Sequence, residues 1–525
     1  PPHHPRRAKG IDCDMPPKPA ARAATGLAGG GGKGKPAPKK KEAKVEGEDD
    51  EEAEEDQVDV EAERVAALEQ CKARGLFQKR IDERVNQETK HTPLMIQALG
   101  GHTEKLLLLI TAGADVMLAD ENLDTALHLA ASCHSLECCE ALLKKGGEEL
   151  LKKQNMSGYT CLHSAVEARP KDSEDGLCKA ADKPIKEVID LFLKMGGEEF
   201  FDVQNKFGDT CLHTSAQKAK YDVVYHLLSH GGAPAVGPKN FVDSTCIHYA
   251  VGRGDEALAE LLIKACGTDI LKVKKNGGLT AMHACAAGGS HLIFEALIEQ
   301  GGKDLAKDVT LRGDTPLHIA AQHGHTDVSS CILRAVGATG LTVKNKKGDT
   351  CVHIAASKGS CSLLTIYLEH ASRESVRLGE LTNADGFTPL HLAAQEGHVE
   401  ACDILQGKGK GGETNTAMYQ TLSKAQDSVL HMACYGPGDP TLAAGMVETQ
   451  GVEFAMLKNR DGYTCLHYAA LMNRLETAAT MIDLCGAELL AAPNGYGDTC
   501  LHIAATKGHL EMAKLLCEKG GGTLA

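Results

Sequence analysis

The stretch Thr315–Ala321 reads TPLHIAA, and Thr388–Ala394 repeats it as TPLHLAA. Looser copies, in which a threonine or serine stands three residues before a histidine, begin at Thr125, Thr160, Thr210, Thr245, Thr280, Thr350, Ser428, Thr464 and Thr499. A copy without the histidine begins at Thr92. From His128 onward, successive motif histidines are 35, 50, 35, 35, 35, 35, 38, 40, 36 and 35 residues apart. A nearly constant period in this range indicates a solenoid built from one repeated unit.

The motif has the chemistry of a helix start. A threonine side chain caps the first amide groups, and proline suits the first helical position because it lacks an N–H donor. In the copy at Thr315 we expect a short helix over about 316–322 that ends at Gly324, with Leu317 and the alanines facing inward. A second helix is expected from about Thr326 to the glycine at 337, where the chain turns. A polar segment then leads to the next motif, and its asparagine and glycine are typical of a turn. Each unit is thus predicted to be helix, turn, helix and β-turn finger.

These motifs resemble the ankyrin repeat, whose pattern continues with a glycine–histidine pair between its helices. That pair stands here at Gly324-His325, Gly397-His398 and Gly508-His509, and the resemblance covers roughly residues 83–521. It implies an all-α ankyrin-repeat solenoid of about twelve units, in which each motif histidine bonds the backbone of a neighbouring loop. Most units have 35 residues where the family has ~33, and six motif copies carry cysteine instead of proline. The additional residues fall between the second helix and the finger, as in 146–151 and 196–201.

Composition and periodicity divide the chain into a tail, a capping helix and the solenoid. Residues 1–60 form a low-complexity tail that is basic and then acidic, in which Met15 is a candidate natural start. A capping helix is predicted at 61–82, and the solenoid at 83–525. We expect an inserted loop near 169–184, and a bend or loose packing in irregular repeats near 403–450. No polar capping repeat follows the last unit in this sequence, so its open end is expected to need a cover.

Charge and composition argue against several functional classes. The formal net charge of −14 and the absence of tryptophan disfavour a nucleic-acid partner. No apolar run approaches the ~18 residues of a membrane span. The segment 29–35 matches the first part of a phosphate-binding loop, but Pro36 stands where the magnesium-binding hydroxyl belongs. We therefore expect no nucleotide cofactor.

Cysteines and histidines offer the remaining chemistry. The pair in Cys161-Leu162-His163 resembles half of a zinc site, yet it recurs only because the unit recurs and its partner half is missing. Equivalent cysteines of adjacent units would lie ~8–10 Å apart, too far for a disulfide. We predict buried core cysteines in a reducing, cytoplasmic compartment, with no metal and no catalytic residue. No nucleophile or acid recurs beside the histidines, so an enzyme is not predicted.

The predicted fingers carry a basic bias. The candidate partner-binding residues are Lys206, Lys274, Lys275, Arg312, Lys344, Lys346 and Lys347. Stacked fingers would align them as an edge that steers an acidic protein partner, although lysines on solvated loops are also ordinary surface charge.

The resemblance implies a non-catalytic protein-interaction scaffold that binds through its fingers and concave face, as part of a larger complex. A Lys/Pro/Ala/Gly-rich tail on a rigid rod suits a cytoskeletal or ciliary assembly. The alternative is a regulatory or substrate-receptor subunit of an enzyme complex.

Overall fold

The structure, a computed structural model, describes residues 50–85, 89–167, 185–231, 237–407 and 416–520. The chain divides into two units, Pro1–Asp59 and Val60–Ala525. The segment 29–35, the insertion expected near 169–184 and the last five residues lie outside the described residues. The unit from Val60 onward is described below.

Two series of helices alternate along the second unit. In the described residues, twelve first helices follow the twelve motif copies: Pro93–Leu99, Ala126–Ser132, Cys161–Glu167, Cys211–Gln217, Cys246–Arg253, Ala281–Gly288, Pro316–His323, Cys351–Ser357, Pro389–Glu396, Val429–Tyr435, Cys465–Leu471 and Cys500–Lys507. The second helices are Thr103–Thr111, Leu136–Leu151, Ile185–Gly196, Tyr221–Gly231, Glu256–Cys266, His291–Gly301, Thr326–Val336, Cys361–Arg373, Val399–Leu405, Pro440–Gln450, Leu475–Cys485 and Leu510–Gly520.

The core runs through the stack from one repeat to the next. First helices pack against first helices of adjacent repeats, and each also packs against its own second helix. Leu317, Ala320 and Ala321 are buried at these contacts, as the motif predicted. Small alanine side chains let neighbouring helices approach closely. The described residues form no β-strand, so the predicted all-α solenoid is confirmed.

The additional residues of the 35-residue units form a short element of their own. The second helix Thr326–Val336 stops at Gly337, whose φ of 76° suits glycine. A 3-10 helix, Ala338–Thr342, follows and buries Ala338 and Leu341. Equivalent 3-10 helices are Glu198–Asp202, Thr268–Lys272 and Lys303–Lys307. The sequence located these residues correctly but did not show that they add apolar side chains to the core.

The N-terminal helix differs in its bounds from the predicted 61–82. It runs Asp50–Ala73, so it begins within the segment expected to be tail and ends nine residues early. Gly75, with φ of 62°, turns the chain after it. Ala67 and Cys71 are buried against the first repeat. The division into tail, cap and solenoid remains a prediction.

The segment near 403–450 is irregular in its turns but closely packed where it is described. The helix Val429–Tyr435 ends at Gly436 in an extended conformation, and Pro440 begins the following helix behind an Asp439 cap. Tyr419 is buried, with its ring 5.8 Å from that of Phe454. This contact shows that Tyr419 is well packed, and the expected bend or loose packing near 403–450 remains a prediction.

Candidate partner-binding surface

Motif histidines join most of the neighbouring fingers. The Nδ1 atom of His318 accepts a hydrogen bond from the backbone N–H of Thr315 at 3.2 Å and lies 2.8 Å from its Oγ1. Because Nδ1 is an acceptor, the proton is on Nε2, which donates to the carbonyl oxygen of Asp349 at 3.1 Å. The same Nε2 bond links His128 to Tyr159, His163 to Asp209, His213 to Ser244, His283 to Asp314, His353 to Phe387, His391 to Asp427, His431 to Tyr463 and His467 to Asp498. The predicted histidine-to-backbone bond is confirmed at these nine positions, whereas the Nε2 of His248 is buried without a partner.

Burial keeps these imidazoles neutral. It lowers the pKa of His163, His391 and His467 from the ordinary 6.5 to about 4. Carbonyl acceptors at Nε2 oppose the shift but do not cancel it. A neutral ring with both nitrogens engaged is a structural brace, and neither nitrogen is available to move a substrate proton.

An asparagine organises most of the fingers from within, and Asp120, Thr310 and Ser423 accept the same backbone N–H bonds in three others. In the finger before Thr350, Asn345 Oδ1 accepts from the backbone N–H groups of Lys347 and Asp349, at 2.9 and 3.0 Å. Its Nδ2 donates to Asp314 Oδ1 of the preceding finger at 2.8 Å. The same cross-finger bond joins Asn155 to Asp124, Asn240 to Asp209, Asn383 to Asp349 and Asn459 to Asp427. We call these bonded asparagine, aspartate, threonine and histidine positions the finger stem.

The two residues after the stem asparagine form the finger tip, and tips are joined by backbone hydrogen bonds. The N–H of Lys346 donates to the carbonyl of Arg312 at 2.9 Å, and that of Ala384 donates to Lys347 at 3.0 Å. The ladder continues in both directions, from Met156 to Asn122, Lys206 to Ser157, Phe241 to Phe207, Asn276 to Val242, Leu311 to Gly277, Lys424 to Asp385, Arg460 to Ala425 and Gly495 to Asp461. The tips are therefore a continuous row in a defined register.

The structure separates the seven predicted basic residues into two groups. Lys206, Arg312, Lys346 and Lys347 lie at exposed finger tips, as expected.

Lys274, Lys275 and Lys344 lie lower on the fingers. Lys344 Nζ donates to the carbonyl of Thr382, and Lys275 occupies the position of the stem asparagine. Partial burial lowers the pKa of Lys275. Of these three, Lys274 and Lys344 are exposed, whereas Lys275 is partly buried.

Sequence reasoning missed a row of apolar side chains among the basic tips. Phe207, Phe241 and Leu311 are 62%, 70% and 67% exposed. The ring of Phe241 lies over Gly208 of the preceding finger, where a Cβ would come within 2.6 Å of it. The available signal was their position directly after the stem, where side chains point to solvent.

The cysteines occupy the core rather than this surface. Cys161, Cys211 and Cys246 are buried at the first position of their helices, where other copies have proline. Burial raises the pKa of the Cys211 thiol to about 12, so it resists ionisation. A buried, protonated thiol is a poor nucleophile and a poor metal ligand.

No helix in the described part of the chain has both the length and the apolar character that crossing a bilayer requires.

Comparisons with known proteins found the following similarities. The family model for ankyrin repeats matches residues 65–152, 94–187, 177–274, 247–339, 329–417 and 430–523. The mouse B-cell lymphoma 3 protein homolog is 37% identical over 84 residues, which are 16% of this chain and 19% of that protein. The human ASB11 ankyrin repeat domain is 22% identical and aligns with 46% of this chain and 99% of its own, with a TM-score of 0.37.

The family matches together extend over most of the chain and include eleven of the twelve motif copies in full, with the copy at Ser428 matched from residue 430 onward. Repeats of this family generally act as protein-interaction modules without catalysis. The structure agrees with those family matches: it has capped first helices, histidine bonds between neighbouring repeats and stacked fingers. The chain belongs to the ankyrin-repeat family.

Proposed function

We propose that this protein is a non-catalytic interaction scaffold whose central finger tips bind an acidic protein segment that also carries apolar side chains. The observation that supports this most directly is the mixed composition of one tip row. One backbone ladder carries the exposed apolar side chains Phe207, Phe241 and Leu311 together with the cations Lys206, Arg312, Lys346 and Lys347. Aromatic and arginine side chains contribute disproportionately to binding energy at protein interfaces.

The two kinds of side chain contribute differently. Exposed cations raise the rate of encounter with an acidic partner, and the effect weakens as salt increases. Apolar side chains that become buried on binding slow dissociation, because they regain contact with water when the complex separates. The partner that fits the row is therefore acidic and apolar together.

Charge along the fingers supports a central location for this site. Tip acids appear at Glu121 on one side of the basic stretch and at Asp385 and Asp461 on the other. Glu121 is already paired with Lys90 at 3.0 Å. The later tips also carry Lys424 and Arg460, but Arg460 shares its tip with Asp461, so an acidic segment should be attracted most strongly to the Lys346–Lys347 tip.

The biological setting is part of the proposal. We propose a cytoplasmic protein within a larger assembly, with the cytoskeleton or cilium as the candidate setting. The many cysteines support a reducing compartment, since thiols persist there, and the tail composition supports an assembly component.

Partner identification is the first experiment. Cross-linking and mass spectrometry of the native protein in cell extract would show which proteins contact the fingers. We expect cross-links from Lys206, Lys346 and Lys347 to a partner segment rich in aspartate or glutamate. Cross-links confined to the second helices would contradict a finger-tip site.

The second experiment tests the two contributions separately with that partner. The Lys346→Glu/Lys347→Glu variant should associate more slowly and lose part of the salt dependence. The matched control, Lys144→Glu/Lys145→Glu, makes the same charge change on a second helix. The Phe207→Ser/Phe241→Ser variant should dissociate about tenfold faster. Its control, Leu292→Ser, removes an exposed apolar side chain from a second helix. Equal kinetics for variants and controls would reject the site.

A further inference from the structure

Three potential metal ligands meet on the second helices, apart from the fingers. Asp190 lies on the helix Ile185–Gly196, while His226 and His230 lie on Tyr221–Gly231 of the next repeat. The histidines are four residues apart, a spacing that places them on one face of a helix. In the part of the chain that the structure describes, this is the one group of three histidine, cysteine or carboxylate ligands whose donor atoms converge.

The donor atoms already lie close to one another. His226 Nε2 is 2.6 Å from Asp190 Oδ1, and His230 Nε2 is 3.3 Å from the same oxygen. All three donor atoms fall within 4.8 Å of one another. Separations of this size are compatible with a common ion at ~2.0–2.2 Å from each atom after small side-chain rotations.

Hydrogen bonding orients one of the rings for coordination. His230 Nδ1 is 3.0 Å from the carbonyl oxygen of His226, an acceptor, so Nδ1 carries the proton and donates it there. The lone pair of His230 is consequently on Nε2, the atom that faces Asp190 and His226. A backbone carbonyl that holds the distal nitrogen in this way is the usual support of a metal-binding histidine. An ion pair with Asp190 would instead require a proton on that Nε2.

We propose that Asp190, His226 and His230 bind a divalent transition cation of the Zn²⁺ type. Two imidazoles and one carboxylate suit such ions, whereas Mg²⁺ and Ca²⁺ prefer sets of oxygen ligands. Binding exchanges the His226–Asp190 hydrogen bond for coordination, and the neutral His226 ring changes tautomer, with Nε2 losing its proton to solvent and Nδ1 gaining one from it. The carboxylate is 48% exposed and His230 is 39% exposed, so the ion can enter from solvent.

The ion would act as a clamp between adjacent repeats. Its ligands come from two neighbouring second helices, and in a solenoid each repeat is held chiefly by contacts with its neighbours. Coordination therefore stabilises the interface between the third and fourth repeats. The site is independent of the proposed partner surface, because none of its residues belongs to a finger.

A cobalt titration tests the proposal on the full chain. The protein is prepared without an affinity tag, washed with chelator and kept reduced, and Co²⁺ uptake is followed by visible absorption. We expect one equivalent to bind with nitrogen and oxygen ligation, without a sulfur-to-cobalt charge-transfer band. The His226→Gln/His230→Gln variant should lose this equivalent, and Asp190→Asn should bind at least roughly tenfold more weakly.

His370→Gln is the matched control, since His370 lies in the last turn of another second helix and belongs to no such triad. Thermal melting in chelator checks that the variants are folded, and Zn²⁺ should raise the melting temperature of the wild type but not that of the double variant. Cobalt uptake by the double variant with wild-type affinity would overturn the proposal. So would an absence of binding by the wild type.

Discussion

Finger stems and finger tips are adjacent in every repeat but differ in chemistry. The stems repeat the same asparagine, aspartate, threonine and histidine bonds, as in Asn345 to Asp314 and His318 to Asp349. The tips share only their backbone ladder, and their side chains are apolar at Phe241, basic at Lys346 and acidic at Asp461. Because a tip side chain takes no part in the ladder, it changes with little effect on stability. Recognition can therefore vary at the tips while the stems maintain the fold.

Acidification should produce the largest effect, because it acts on all buried stem histidines together. Their folded-state pKa is lowered, so the unfolded chain binds more protons and stability falls as pH decreases from about 6.5 toward about 4. Above 6.5 the imidazoles are neutral in both states and contribute no pH dependence. Within that window, each histidine lowers the free energy of unfolding by about 1.4 kcal/mol for every unit by which the pH falls. Denaturant melts at successive pH values measure the slope, which His391→Gln should reduce. An unchanged slope in that variant would contradict the assignment of neutral, buried imidazoles.

Leu317→Ala should give the largest effect of a single substitution at neutral pH. The side chain is fully buried between first helices, so its truncation removes apolar burial and leaves a cavity. We expect a loss of ~2–5 kcal/mol in the free energy of unfolding. Equilibrium denaturation measures it, and Leu311→Ala at an exposed tip is the matched control. Equal stability of the two variants would mean that the motif leucine is not a core residue.

Asn345→Ala should have an intermediate effect on the free energy of unfolding. Together with a variant of the next residue, it compares a stem with the tip of the same finger. The variant loses the bond to Asp314 and leaves the N–H groups of Lys347 and Asp349 without their acceptor. We expect a loss of about 1–3 kcal/mol. The next residue along the chain supplies the control, since Lys346→Ala should change stability by less than about 0.5 kcal/mol. A similar loss in both variants would remove the distinction between stem and tip.

The smallest stability effect is expected for Lys346→Glu/Lys347→Glu. Both side chains are exposed, and the ladder bonds of the Lys346 N–H and the Lys347 carbonyl do not involve the side chains. The melting temperature should stay within about 2 °C of the wild type, while association with an acidic partner slows. Calorimetry of both proteins provides the measurement. A large fall in melting temperature would show that the tips also hold the fold together.

Local chemistry explains which features could be predicted. Helix starts, the glycine after each second helix and the stem asparagines depend on residues a few positions apart, so a single repeat reveals them. The 3-10 helix Ala338–Thr342 was not predicted, because its apolar residues acquire meaning only when they pack against the neighbouring repeat. Likewise, Lys275 and Lys344 seemed equivalent to Lys346 in sequence. In the structure Lys275 is partly buried, and Lys344 donates a hydrogen bond to the carbonyl of Thr382.

The sequence by itself determined the repeat, its period, the helical fold and the buried places of Leu317 and the motif histidines, because each depends on local spacing and on side-chain polarity. Tertiary structure alone decided which residues of different repeats meet. Stacking placed Phe207 and Phe241 on adjacent tips, and it brought Asp190 to within hydrogen-bond distance of His226, 36 residues away. Such juxtapositions depend on the register and rotation of one repeat against the next, which arise from the packing of whole helices and leave no pattern within a single unit.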